Sequence, residues 1–545
     1  MEENLESSKR SGQPRKISRR EFVAGAGALA VGIPLFMSLP GCNNQGNPGE
    51  EQSDDYKLES YAIADSTGDW GFPSPYAHYS RGPGYMRMQF IFETLVWKSE
   101  DDYVPQLASE WEYNEDELSY TFKLREDVYW HDGTKFTADD VVFTYEYTDE
   151  HAYSWVDNAI VESVEKIDEY TVKLYLSQQY APFLHAVAAT QPVMPKHIWE
   201  NVTDPDTFNS SEALIGTGPY KLSDYNQSLG TYLYTANDDY YMGKPITREL
   251  KFIKVTSEMN MASLQDGTVN SAGVTAEMLD TLEADGFTII KAPVSWNCKL
   301  TMNHQIEPFS SKEFRQALAY AIDRQSLVDI VLRGEGVAGS PGIVPPTSVW
   351  YNPDTPQFEY NPDKSIELLE GLGYQFGDGV LSMDGQQLKV SLISASSYED
   401  VGQFITDALE QIGIDIDFQI LDGTTIDTKV GAWDFELSLY GHGGLYDPSF
   451  LKSCILGSGF NSARYFADDE LTSCIEEQLT EMDIARRKEI VFRVQELYAE
   501  DMPALTLYYP DSYWAHDGDV PLYYTMDGVA TGIPIPLNRM CFVEK

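Results

Sequence analysis

Residues 104–147 read VPQLASEWEYNEDELSYTFKLREDVYWHDGTKFTADDVVFTYEY. The patterning is that of two strands followed by a helix. From Ser119 to Leu124, Tyr120, Phe122 and Leu124 alternate with polar neighbours, the period of a half-buried strand. His131-Asp132-Gly133-Thr134 has tight-turn composition. Thr137, followed three residues later by Asp140, predicts a capping box, and Val141, Val142 and Tyr145 supply the apolar spacing of the helix it opens. Nothing in this stretch is catalytic by residue type.

Size and composition narrow the class. At 545 residues the chain is long enough for two or three domains. Its 86 acidic against 38 basic residues, a net charge of −48, argue against nucleic acid and anionic membrane surfaces, both of which need clustered Lys and Arg. The 35 Tyr, 24 Phe and 10 Trp fit large cores or a cleft lined with rings. No His-Glu-x-x-His, Gly-x-Ser-x-Gly, P-loop or dinucleotide fingerprint occurs, and the histidines are dispersed. The expectation is a binder with no cofactor, not an enzyme.

The runs Pro105–Trp111, Thr121–Arg125, His131–Thr134 and Thr137–Phe143 resemble, in order and spacing, the peptide/nickel class of ABC-importer extracellular solute-binding proteins, family 5. Ile215-Gly216-Thr217-Gly218-Pro219-Tyr220, Asn237–Pro245 and Phe314–Arg324 resemble further segments of that family. The glycine-rich run lacks the Lys-Ser/Thr of a P-loop, so close backbone packing is its better reading.

The resemblance implies an α/β, two-lobed periplasmic-binding-protein-like fold of class II type, with an extra subdomain and the ligand in the interlobe cleft. The implied divisions are 56–94 and 213–295 for lobe I, 95–212 for the extra subdomain, 296–508 for lobe II and 509–545 for a return to lobe I. Pro293 to Asn303 is expected to cross between lobes as a strand. The implied role is capture of a small ligand or short peptide by a monomer, for delivery to ABC permease subunits with an associated ATPase. A nickel chelate is the alternative ligand. An exported hydrolase or a ligand-sensing receptor module is the alternative of another class.

The amino-terminal residues 1–41 read as an export signal. Arg19 and Arg20 form a twin-arginine pattern ahead of the apolar run Val23–Leu39. Cys42 resembles the lipidated cysteine of bacterial lipoproteins, with Pro40 where that pattern has a small residue. Polar residues 42–55 then read as a flexible tether. The expected location is periplasmic or cell-surface, touching the membrane only through the lipid. Cys298, Cys454, Cys474 and Cys541 allow three disulfide pairings, of which Cys454–Cys474 is closest in sequence; free thiols fit equally.

Outward from the core motif, the expected elements are a helix from Tyr85 to Leu95, a long helix from Phe314 to Leu332 started by a Ser310–Glu313 capping box, and strands at Ile414–Ile420 and Trp433–Tyr440. The loop Tyr440-Gly441-His442-Gly443-Gly444-Leu445-Tyr446-Asp447-Pro448 is read as following a strand and carrying ligand contacts. Within the resemblance, Tyr79, Arg81, Tyr85, His151, Trp155, Tyr440, His442, Gly444, Tyr446 and Asp447 are the candidate ligand-binding residues, and His442 the candidate metal contact. Peptide-binding members carry, three residues before the acidic-Pro pair, an aspartate that holds the peptide's amino group; here Gly444 stands there. Nickel-chelate binders place an Arg before a His-Ala-aromatic segment; here Glu150 precedes His151-Ala152-Tyr153.

Overall fold

The computed structural model describes residues 56–66, 68–80, 82–99, 102–459, 462–525 and 536–544. Arg19, Arg20, Cys42 and Arg81 lie outside the described residues. Two large mixed sheets organise the chain. The first runs, in spatial order, Thr288–Lys291, Tyr513–His516, Ser271–Val274, Leu58–Asp65, Thr247–Lys254, Thr231–Ala236 and Tyr220–Asn226. The second runs Gly336–Ala338, Ala504–Pro510, Trp296–Met302, Leu437–Gly443, Lys389–Ala395 and Asp415–Leu421. Each has its own core. Tyr61, Phe90, Tyr234, Phe252 and Phe542 pack around the first, and Leu300, Leu392, Leu439, Leu505 and Phe314 around the second.

The stretch 104–147 folds as its patterning dictates. Ala108–Asn114 and Ser119–Leu124 pair antiparallel, and Thr171–Leu176 and Val161–Asp168 complete a four-stranded sheet. Helix Ala138–Glu150 packs against it, burying Val141 and Tyr145 with Phe122, Val172 and Leu174. Thr137 and Asp140 form the full reciprocal capping box at its start.

Residues of two resembling segments meet. The His131 Nε2 lies 2.9 Å from the Gly218 carbonyl, and its Nδ1 accepts from the Gly216 N–H at 3.3 Å. That assigns the proton to Nε2, and burial pushes the imidazole down to about 4, so the ring is a neutral strut. A Cβ at Gly216 or Gly218 would stand 2.0 or 2.4 Å from the Ile91 or Phe90 carbonyl, which is why backbone approach, not phosphate binding, explains those glycines.

Several expected elements are corrected. The helix expected from Tyr85 is Gly82–Met88. The long helix is two, Lys312–Ala321 and Arg324–Ile330, because Ile322 turns extended and the Asp323 carboxylate caps Ser326. Ser311, not Ser310, accepts from Phe314 N–H. Trp433 begins no strand: with φ of 61° it ends the helix Gly423–Ala432, and the strand starts at Leu437 and runs through Gly443. Tyr440 to Gly443 are therefore strand, not loop. The segment expected to cross as a strand does so only as the connector 292–295, and Trp296 already belongs to the second sheet. Cys298, Cys454, Cys474 and Cys541 are unbridged, so of the expectations left open the thiols hold and the Cys454–Cys474 pairing does not form.

The chain leaves the first sheet at Lys291 and returns at Tyr513, and the two connectors touch. Ala292 N–H donates to the Ser512 carbonyl at 2.8 Å, and Lys291 pairs with Asp511 at 2.6 Å.

Candidate functional site

A cavity of about 700 Å³ opens between residues of the first sheet's side and the carboxyl end of strand Leu437–Gly443. That volume is within the usual range for small-ligand sites. Trp155, Tyr180, Trp296, Tyr440 and Phe450 supply its aromatic wall. Ser80, Thr190, Ser449 and Ser453 supply hydroxyls, and Gly441, Gly443 and Gly444 expose backbone.

Local packing holds the rings. Trp155 donates its Nε1–H to His78 Nε2 at 3.0 Å, while His78 Nδ1 donates to the Ser74 carbonyl at 2.8 Å. Burial pushes His78 down to about 4, which keeps the acceptor nitrogen available at neutral pH. Buried Tyr85 meets the Trp155 ring edge-on at 5.8 Å and donates its hydroxyl to the Thr190 carbonyl. On the opposite wall the Trp296 ring covers Gly441 so closely that a Cβ there would sit 2.3 Å from it. Tyr440 donates to Asp427 at 3.0 Å.

Two imidazoles line the cavity. His442 is 5% exposed and His185 8%, and the Nδ1 of each is buried without a hydrogen-bond partner in the protein. Burial, then the Lys299 ammonium, pushes His442 down to about 3. Burial, then Lys98, does the same for His185. Both rings are neutral at physiological pH. Lys299 is itself fully buried on strand Trp296–Met302, 3.5 Å from the Cys454 sulfur.

Of the residues singled out in the sequence, Trp155, Tyr440, His442 and Gly444 share this cavity. Tyr85 supports it from behind. Tyr79 does not line it: it is 47% exposed and donates to Asp69. His151 lies against Tyr147 at 4.5 Å, with its carbonyl accepting from Tyr76, also outside the cavity. Tyr446 and Asp447 line a second cavity of about 760 Å³, with Trp350, Lys291 and Asp511. His185 lines both. The Asp447 carboxylate receives two hydrogen bonds from Arg487, at 3.0 and 2.8 Å. Burial works to raise this carboxyl, but Arg487 outweighs it through charge and hydrogen bonds and holds it below the ordinary range. Sequence reasoning missed Tyr180, His185, Trp296, Phe450 and Ser453, which sit far apart in the chain and carry no shared motif.

Residues 102–462 match the family model for bacterial extracellular solute-binding proteins, family 5. The chain belongs to that family. Its members are binding proteins, so this chain is a solute binder acting outside the cytoplasm, not an enzyme. It is 30% identical to the oligopeptide-binding protein AppA of Bacillus subtilis (strain 168), over 73% of this chain and 76% of that one. The nickel-binding periplasmic protein of Escherichia coli (strain K12) is 25% identical, over 70% of this chain and 76% of its own length. The solved structure of AppA from Bacillus subtilis in complex with a nonapeptide superposes with a TM-score of 0.71 and 25% identity, covering 89% of this chain and 99% of that chain. The fold is thus the two-lobed α/β fold of these binding proteins. Among the described residues no helix is long and apolar enough to cross a membrane.

Proposed function

We propose that this family 5 solute-binding protein captures a short peptide in the 700 Å³ cavity and delivers it to ABC permease subunits driven by a separate ATPase. The observation that carries the reading is an open strand edge. Strand Leu437–Gly443 pairs with Trp296–Met302 along its whole length. On its other side it pairs with Lys389–Ala395 only at Leu437 and Ser438. Among the described residues no second strand pairs with Gly441 to Gly443, and these residues line the cavity. An extended peptide can complete such an edge through main-chain hydrogen bonds while rings take its side chains. The contacts proposed are Trp155, Tyr180, Trp296, Tyr440, His442 and Gly444. The two connectors 292–295 and 511–512 are the proposed hinge, about which the lobes close on ligand. In this reading the protein works as a monomer held at the membrane by an acylated Cys42.

A specific observation favours a second ligand class. The partnerless Nδ1 atoms of His185 and His442 offer donors to a metal. Among the described residues no group of three or more His, Cys, Asp or Glu is placed to hold an ion, so such a metal must arrive in a chelate bringing its own donors.

Native mass spectrometry of the purified chain, followed by denaturation and identification of what is released, tests the proposal. A ladder of short-peptide masses supports it. One metal-bearing small molecule replaces it with the chelate reading.

A further inference from the structure

The electrostatics of the cavity narrow the ligand further, and the narrowing rests on the peptide reading above. Among the described residues that line it there is no Asp or Glu. The formal charge on that lining is the ammonium of Lys452, a half-exposed side chain paired with Glu476 at 3.1 Å. The neighbouring carboxylates are engaged elsewhere. Asp447 faces the second cavity, with both oxygens on Arg487, and Asp427 accepts the Tyr440 hydroxyl.

A peptide with a free amino end brings an ammonium at neutral pH. Burying it here means stripping its water with no counter-charge to replace it, which is strongly unfavourable. A blocked amino end brings an amide instead, which asks for one acceptor and one donor. The cavity holds both. The buried Nδ1 atoms of His185 and His442, without a protein partner, offer either role by choice of tautomer, and the hydroxyls of Ser449 and Ser453 also line the cavity. Gly444, at φ of +79°, has no side chain and so adds no charge to the cavity.

We infer that the site selects peptides without a free amino terminus, N-acylated or cyclic, neutral or acidic in net charge, over the same peptides with a free ammonium. The absence of a carboxylate among the described lining residues, with Asp447 held by Arg487, is the ground for that selection.

The test is isothermal titration of the full chain with matched pairs of aromatic-containing tri- and tetrapeptides, each N-acetylated or with a free amine, at pH 7. The acetylated member should bind at least about tenfold more tightly. In a Gly444→Asp variant the preference should shift toward the free amine by about tenfold or more, since Asp tolerates the left-handed backbone better than most residues and returns a carboxylate to the wall. Equal or tighter binding of the free amine by the unmodified protein overturns this inference and leaves the peptide reading standing; the amine is then held elsewhere, with Glu481 in the second cavity the first residue to substitute. If neither member of any pair binds while a metal chelate does, the peptide reading falls and this inference with it.

Discussion

Arg487→Met is the substitution whose outcome the structure sets most tightly. The Arg487 and Asp447 side chains are 7% and 16% exposed, and two parallel hydrogen bonds join them. Arg487 also bonds the Gln478 carbonyl at 2.9 Å, tying the 444–448 segment to the helices Asp469–Thr480 and Ile484–Asp501. Removing the guanidinium leaves a buried carboxylate with one backbone bond from Ser449. Breaking one side of such a pair costs about 3–5 kcal/mol. For a lobe of this size that is a fall of roughly 6–20 °C in melting temperature. The pH dependence carries a sign. In the unaltered protein the folded carboxyl lies below its ordinary value, so its stabilisation is present above about pH 4 and is lost as pH falls through the folded value. In the variant burial acts without the guanidinium to oppose it and raises the carboxyl, so the penalty is full at pH 7 and fades on acidification. The two melting curves, followed by circular dichroism from pH 7 to pH 4, should converge. An Asp447→Leu/Arg487→Met double variant should recover most of the loss, because no charge is left stranded. A single-variant loss under about 1 kcal/mol, or a gap indifferent to pH, refutes the assignment of Asp447 to structure.

Gly441→Ala should displace the Trp296 ring, because the new Cβ would stand 2.3 Å from it. Trp296 is 40% exposed, so melting should change little while tryptophan emission shifts and ligand affinity falls about tenfold or more. His78, His131, His185 and His442 are all pushed down by burial, to about 4, 4, 3 and 3. The unfolded chain therefore binds more protons below pH 6.5, and stability should fall on acidification below that value, with a slope of up to about 1.4 kcal/mol per pH unit for each ring. Calorimetry of His442→Gln should show a shallower acid slope; an unchanged slope counts against the buried neutral ring. Cys298, Cys454 and Cys541 are buried and unbridged and Cys474 is partly buried, so among these four a thiol reagent without reductant should find Cys474 first in the native protein and the other three only after denaturation. Peptide mapping showing a Cys454–Cys474 bridge would contradict this.

The parts of the fold legible in the sequence were those governed by neighbours. Thr137 and Asp140 lie three residues apart, and the helix they cap is where the spacing puts it. Alternation over Ser119–Leu124 reports one face of one strand and needs no knowledge of what covers it. The failures share the opposite character. Phe314–Leu332 is periodic enough for one helix, but Asp323 also satisfies the rules for a cap, and only packing decides that the chain breaks there. Trp433 has a strand former's side chain, yet the turn out of helix Gly423–Ala432 requires a left-handed residue, and its ring is accommodated against Phe435 and His304.

The site divides along the same line. Tyr440 to Gly444 stood out because glycine, histidine and tyrosine crowd one short segment. Tyr180 and His185 lie more than 250 positions before Tyr440, between strand Thr171–Leu176 and helix Lys196–Trp199, and Trp296 comes from the strand that follows the connector, so their meeting is a property of topology. Asp447 shows what this means for ligand chemistry. In the sequence it is the carboxylate nearest the glycine-rich segment and a natural partner for an ammonium. Arg487, 40 positions away, occupies both of its oxygens and turns it toward the second cavity. The same five-residue text, Gly444-Leu445-Tyr446-Asp447-Pro448, thus has opposite implications depending on a side chain that no local reading can see. With that carboxylate engaged, the described lining of the cavity holds neutral imidazoles, hydroxyls, rings, the strand backbone of Gly441 to Gly443 and the Glu476-paired Lys452, a set of groups suited to an uncharged main chain.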